Sequence, residues 1–297
     1  TSRNFAPASQ LISLPAHEPI AGDDLLKTMK PVNRPNLEFF TITTEDGVTM
    51  DGWMSKPKNY DSTKKYPVVL YVYSEPATTT VEDDFYAGNN FMFSGDFNGQ
   101  GYFYVSLNNR GTPTLKGAEW RKSIYRQIGR LNIRDQAMGM KKLLQDRKYL
   151  DPTRVAAWGW SGGGSTTLHL LFQYPDLFQT GIAIAAVGNQ LFYDNIYQER
   201  YMGLPQENKD DFIKGSPITY AKNLKGNLLY IHGTGDDNVH YSNAEVLINE
   251  LIKNGKLFQL MSYPNRTHSI SEGAGTFQHL MKLYTAYLKE KCPPGGR

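Results

Sequence analysis

Apolar and polar positions change period along this chain, and each change marks an element. Leu37–Thr44 and Val48–Ser55 read as strands around Glu45-Asp46-Gly47, a hairpin signal. Pro67–Tyr73 is a near-continuous apolar run, the mark of a strand buried on both faces, and Tyr102–Leu107 is another. Asn132–Arg147 carries Ile133, Ala137, Met140, Leu143 and Leu144 at helical spacing. Arg154–Trp158 is a short apolar run, and Ser165–Phe172 beyond it reads as helix. Thr180–Ala186 and Asn227–His232 predict strands, Asn243–Lys253 a helix stopped by Gly255, Leu257–Tyr263 a strand and Phe277–Leu288 a terminal helix. Strands alternating with helices predict the α/β class, a doubly wound, mostly parallel sheet with helices on both faces and an antiparallel hairpin at one edge. Residues 1–36, with Pro7, Pro15, Pro19, Pro31 and Pro35, read as a linker holding one short strand and a short helix near Asp24–Met29. The catalytic-size domain is expected over 37–291, and 292–297 reads as a disordered tail.

The turn between Arg154–Trp158 and Ser165–Phe172 is Gly159-Trp160-Ser161-Gly162-Gly163-Gly164. Strand, Gly-x-Ser-x-Gly, helix is the context of a nucleophile elbow, where a sharp, strained turn lifts a serine hydroxyl above the sheet. Gly159 and Gly163 fit because a Cβ at either would collide, and the following helix N-terminus favours negative charge. No lysine follows the glycines and no G-x-G-x-x-G spacing is present, so a phosphate cradle is disfavoured. The pattern as a whole fits the α/β-hydrolase fold.

A serine hydroxyl needs a base to take its proton, and the base needs an acid to orient it. In this fold the acid and then the histidine follow the serine, each on a loop after a strand's carboxyl end. Asp236 and Asp237 follow the strand ending at His232, and His268 follows the strand ending near Tyr263. Ser161, Asp236 and His268 are therefore the catalytic candidates, with Asp236 ahead of Asp237. His17 lies in the linker, His169 and His279 sit inside helices, His232 precedes the acid, and His240 stands at a helix start. His232, Asp236, Asp237 and His240 match no zinc spacing, so neither metal nor cofactor is expected. The oxyanion donors expected are the Gly162 N–H and, from the segment Tyr73-Ser74-Glu75-Pro76, the Tyr73 hydroxyl.

Composition narrows the picture further. The 297 residues suffice for one large α/β domain, and an aromatic fraction of 12% suggests a ring-rich pocket or core. A net charge of +3 with no basic stripe disfavours nucleic acid as a partner. Cys292 is the only cysteine, so no internal disulfide is possible. No apolar run approaches the ~18 residues of a membrane span. Thr1–Phe5 has neither an initiating Met nor the pattern of a signal peptide, so the chain reads as a processed or truncated piece.

From about Asp24 to Cys292 the chain resembles the prolyl oligopeptidase family of serine peptidases, in particular catalytic domains of the dipeptidyl peptidase IV type. The likeness rests on Gly-Trp-Ser-x-Gly-Gly at 159–164, on Tyr193-Asp194-x-x-Tyr197-x-Glu-Arg-Tyr-Met-Gly, and on His232-Gly-Thr-x-Asp-Asp-Asn-Val-His. It implies Asp236 as the triad acid and Tyr73 as an oxyanion donor. It also implies an S1 pocket lined by Val187, Tyr193, Tyr197 and Val239, and Asn238 as a hydrogen-bond partner of a substrate carbonyl. The implied activity removes dipeptides from free N-termini after Pro or Ala, through an acyl-enzyme. Release of tripeptides or acylated residues, hydrolysis of small esters, or an inert binding role remain alternatives on the same frame. The likeness further implies a preceding β-propeller, a peptide substrate, a possible homodimer, and a periplasmic or extracellular setting. Two positions depart from the pattern: Gly162 stands where the family carries Tyr, and Gln190 where it often carries Trp. A roomier, wetter S1 pocket is expected from them. Cys292 matches one half of a disulfide of animal relatives whose other half is here Thr180, which suits a bacterial origin.

Overall fold

The computed structural model describes residues 2–34 and 36–297; Thr1 and Pro35, both in the expected linker, lie outside the described residues. Two short strands, β1 (Leu11–Ile12) and β2 (Pro19–Ala21), pair antiparallel ahead of helix α1 (Asp23–Thr28). Among the described residues eight further strands make one sheet: β3 (Leu37–Thr43), β4 (Thr49–Ser55), β5 (Tyr66–Tyr71), β6 (Phe103–Asn108), β7 (Leu150–Trp160), β8 (Thr180–Ile184), β9 (Asn227–Gly233) and β10 (Gln259–Tyr263). Their spatial order is β3-β4-β6-β5-β7-β8-β9-β10. β4 runs antiparallel to both neighbours, and every pair from β6 to β10 is parallel. This is the α/β-hydrolase order.

The connections carry the helices. α2 (Gly117–Lys122) and α3 (Leu131–Asp146) lie between β6 and β7, and α4 (Gly162–Gln173) follows β7. α5 (Asn195–Met202) and α6 (Pro205–Lys214) lie between β8 and β9, α7 (Ser242–Lys253) precedes β10, and α8 (Thr276–Lys291) follows it. Among the described residues no helix is long and apolar enough to cross a membrane.

Alternate residues of the central strands enter opposite layers. Val68, Leu70, Phe103, Val105, Val155 and Ala157 meet Ile133, Ala137, Met140 and Leu143 of α3. Val69, Tyr104, Ala156 and Trp158 meet Leu280, Tyr284 and Leu288 of α8. Burial on both faces is why these strands read as unbroken apolar runs rather than as alternation.

Two expectations change. The region between β8 and β9 holds α5 and α6, which the apolar pattern did not mark; α5 buries only Gln198 and Met202, too little for a periodic stripe. The tail at 292–297 is not disordered. Buried Arg154 donates to the carbonyls of Pro293 and Gly295, both at 2.9 Å, to that of Lys65 at 2.7 Å, and to Asp151 Oδ2 at 2.7 Å. Arg297 and Lys65 exchange backbone hydrogen bonds at 3.0 Å. A buried guanidinium needs acceptors for its donors, and the tail's carbonyls supply them. Beside it the Thr180 hydroxyl donates to the Lys291 carbonyl at 3.0 Å, and the Cys292 thiol is buried with its pKa pushed up to about 12 by burial. Deleting 293–297 strands the Arg154 donors and should cost about 1–3 kcal/mol, read as a lower denaturant midpoint at unchanged slope.

Candidate active site

Four loops at the carboxyl ends of β5, β7, β9 and β10 bring the candidate residues to one edge of the sheet. The β7–α4 turn is the tightest of them. Ser161 has φ 59° and ψ −122°, a left-handed conformation that a side-chain-bearing residue holds only where its surroundings impose it. A Cβ on Gly163 would lie 2.1 Å from the Val72 carbonyl oxygen; one on Gly159 would lie 2.4 Å from the Gly163 carbonyl carbon, and one on Gly164 2.6 Å from the Ile184 oxygen. The Ser161 N–H donates to Ile184 at 2.8 Å, tying the turn to β8. Gly162 opens α4, so its N–H belongs to the unpaired first turn of a helix.

Asp236 is the most heavily bonded side chain of the group. Its Oδ1 accepts from the N–H groups of Asn238 at 3.0 Å and Val239 at 2.9 Å. Its Oδ2 lies 2.8 Å from His268 Nδ1 and 3.2 Å from His232 Nε2. Burial alone would raise its pKa; the bonds from His232, His268 and the Asn238 N–H outweigh burial and hold it well below the usual carboxylate range. Asp237 and His240 are exposed, and among the described residues neither side chain makes such contacts. Asp236, not Asp237, therefore meets the imidazole. His232, which the sequence places only at a strand end ahead of the acid, is fully buried and serves as a second imidazole on the same carboxylate, its Nε2 also 2.8 Å from the Val239 carbonyl. Among the described residues no group of three His, Cys, Asp or Glu is placed to hold a metal.

The His268 ring borders a cavity of about 430 Å³ shared with Asp194, Asp237, Asn238 and His240. With Nδ1 on Asp236, the Nε2 is left for a partner in that space. Among the described residues no hydrogen bond joins it to Ser161 Oγ; the Ser161 hydroxyl instead neighbours the Tyr73 phenol. Such contacts tighten once substrate is bound. Burial, joined by the charge of Glu75, keeps that phenol protonated and able to donate.

Of the expected S1 residues, Asn238 and Val239 sit directly on Asp236 through their N–H groups. The Tyr193 hydroxyl donates to Asn238 Oδ1 at 2.8 Å, and the Tyr193 and Tyr197 rings meet edge to face at 5.3 Å. Asp194 caps α5 by accepting from the Tyr197 N–H at 2.9 Å, which fixes the two rings relative to each other. Val187 and Val239 are buried.

Residues 90–293 match the prolyl oligopeptidase family. The protein named "probable dipeptidyl-aminopeptidase B" of Arthroderma otae is 34% identical over 295 residues, 96% of this chain. The chain belongs to the prolyl oligopeptidase family. Dipeptidyl peptidase 8 of Homo sapiens is 34% identical over 236 residues, 78% of this chain. The crystal structure of Porphyromonas gingivalis dipeptidyl peptidase 4 superposes with a TM-score of 0.83 and 30% identity, covering 98% of this chain and 41% of that one. The chain spans only 31% of the Arthroderma protein and 26% of the human one.

Against the prolyl oligopeptidase pattern, the pocket differs in a way the sequence reading missed. The space opened by Gly162 is not empty: a Cβ there would lie 2.7 Å from Glu75 Cδ and Oε2. Glu75 is 6% exposed and accepts from the Tyr197 hydroxyl at 2.6 Å. Ser74, itself at φ 64°, fixes the loop through Thr166, at 2.5 Å, and Asn132, at 3.1 Å. Nor does Gln190 wet the pocket, because it is buried and accepts from Gln198 at 2.6 Å. The one available signal was a lone carboxylate two residues after Tyr73 at the end of a fully apolar strand.

Burial pushes the Glu75 pKa up to about 7, with the Tyr197 hydrogen bond pulling the other way. Between its ordinary value of 4.5 and about 7 the folded chain keeps a proton that the unfolded chain has released. Stability therefore falls as pH rises through that window and levels above it. Glu75→Gln lacks this slope and should gain on the wild type by something of order 3 kcal/mol from about pH 4 to about pH 8, measured by denaturant unfolding at each pH.

Proposed function

We propose that this chain is the catalytic domain of a serine exopeptidase that releases dipeptides from free peptide N-termini, the family's preference being Pro or Ala at the second residue. The observation that carries the reading is the Asp236–His268 pair, bonded at 2.8 Å, with the His268 carbonyl held at 2.9 Å by the indole of Trp160, the residue before the strained Ser161. In this reading Ser161 Oγ attacks the scissile carbonyl as His268 Nε2 takes its proton. Asp236 holds the imidazole tautomer and stabilises the imidazolium. The Gly162 N–H and the Tyr73 hydroxyl donate to the oxyanion. Collapse breaks the C–N bond, the imidazolium gives its proton to the leaving amine, and water hydrolyses the acyl-enzyme by the same relay.

Tyr193, Tyr197, Val187 and Val239 then line the P1 pocket, and Asn238, oriented by Tyr193, binds a substrate carbonyl. The partial coverage of the longer relatives supports a further domain in the whole protein, for which a propeller is the family's form. A homodimer and a periplasmic or extracellular setting belong to the same proposal. Ser161→Ala should abolish labelling by a fluorophosphonate and cut cleavage of an Ala-Pro anilide roughly 10,000-fold or more. Equal labelling of variant and wild type would overturn the assignment. Tyr73→Phe should lower kcat about 100-fold with KM little changed.

A further inference from the structure

The S1 region holds one group that the proposed chemistry does not use. Glu75 packs against Gly162, the residue after Ser161, and one carboxylate oxygen, Oε2, is bonded by Tyr197. Among the described residues no hydrogen bond reaches the other oxygen, Oε1, and no Lys or Arg pairs with either. Three tyrosines surround it: Tyr73 from its own loop, Tyr193 from the segment before α5, and Tyr197 from α5. Ser161 and Gly162 bring no charge from α4. A largely buried carboxylate with an open oxygen is short of a donor, and the shortage is met by a proton or by a cation. The edge-to-face Tyr193–Tyr197 pair provides ring surface along which a cationic stem can pack.

We propose that Glu75 is a P1-specificity residue: it forms the base of the S1 pocket and accepts a P1 lysine or arginine side chain through its open carboxylate oxygen, adding a cationic P1 to the proline and alanine of the family. This rests on the serine-peptidase reading for its chemistry and concerns only which residue precedes the cleaved bond. The pairing is charge-assisted, so it outweighs a neutral contact of equal length. It weakens where Glu75 carries its own proton, which burial favours below about pH 7.

The test compares Ala-Lys and Ala-norleucine anilides, which share length and differ in the terminal ammonium, using the longest natural form of the protein. Both substrates use the same Ser161, His268 and Asp236, so the ratio of their kcat/KM values cancels titration of those groups. The lysine substrate should be favoured about tenfold or more at about pH 8, and the ratio should fall as pH drops through about 7. Glu75→Gln should bring the ratio to near one while still labelling with fluorophosphonate at Ser161. A ratio unchanged by Glu75→Gln, or below one in the wild type, overturns the proposal. If that variant does not label, the wild-type profile decides, and a ratio flat across the same pH range overturns it. If free-amine dipeptides are refused while Ser161 labels, the exopeptidase reading falls, and the same ratio measured on acetyl-Ala-Lys and acetyl-Ala-norleucine anilides decides Glu75 separately.

Discussion

The carbonyl oxygen of Val72 stands where side chains on the β7–α4 turn would have to be. It would lie 2.1 Å from a Cβ on Gly163 and 2.5 Å from one on Gly159. This contact between two backbones lets β7 turn into α4 within one residue, and it forces Ser161 into its left-handed conformation. The cost of that conformation, of order 1–3 kcal/mol, is met by the packing of the surrounding strands. Every other element of the site is arranged around this fixed point. Ser74, held by Thr166 of α4 and Asn132 of α3, sets Tyr73 on one side of the turn and Glu75 on the other.

The second organising feature is a balance of burial against hydrogen bonding at two carboxylates. Asp236 and Glu75 are both nearly excluded from water. Asp236 has two backbone donors and two imidazoles, and its charge is stabilised. Glu75 has one phenol, and its charge is disfavoured. Burial opposes the charge of both, and the difference in donor count separates the two acids in their readiness to ionise.

Much of this was legible along the chain. The central strands announce themselves because both faces are buried, and the helices α3 and α8 because one face is. The serine turn is legible because its neighbours must lack side chains. Asp236 and His268 follow from chain order once the turn is recognised, and the fold brings them within 2.8 Å. What was not legible depends on contacts between distant positions. Glu75 means little until Gly162 is seen to leave room for it. His232 looks like the end of a strand until its ring is found on Asp236. α5 is held mostly by its Asp194 cap and the tyrosine contacts, neither of which produces a periodic apolar stripe. The order of the tail is not legible because Pro-Pro-Gly-Gly has the composition of a flexible end, whereas its carbonyls are claimed by Arg154.

That tail also seals the chain's single thiol. Cys292 is 1% exposed, its thiol lies 3.6 Å from the Arg154 carbonyl, and burial keeps it un-ionised. A thiol in that state is a poor target for alkylating agents and peroxide alike. With no crosslink to form or lose, the domain can mature in reducing or oxidising surroundings without change to its covalent structure.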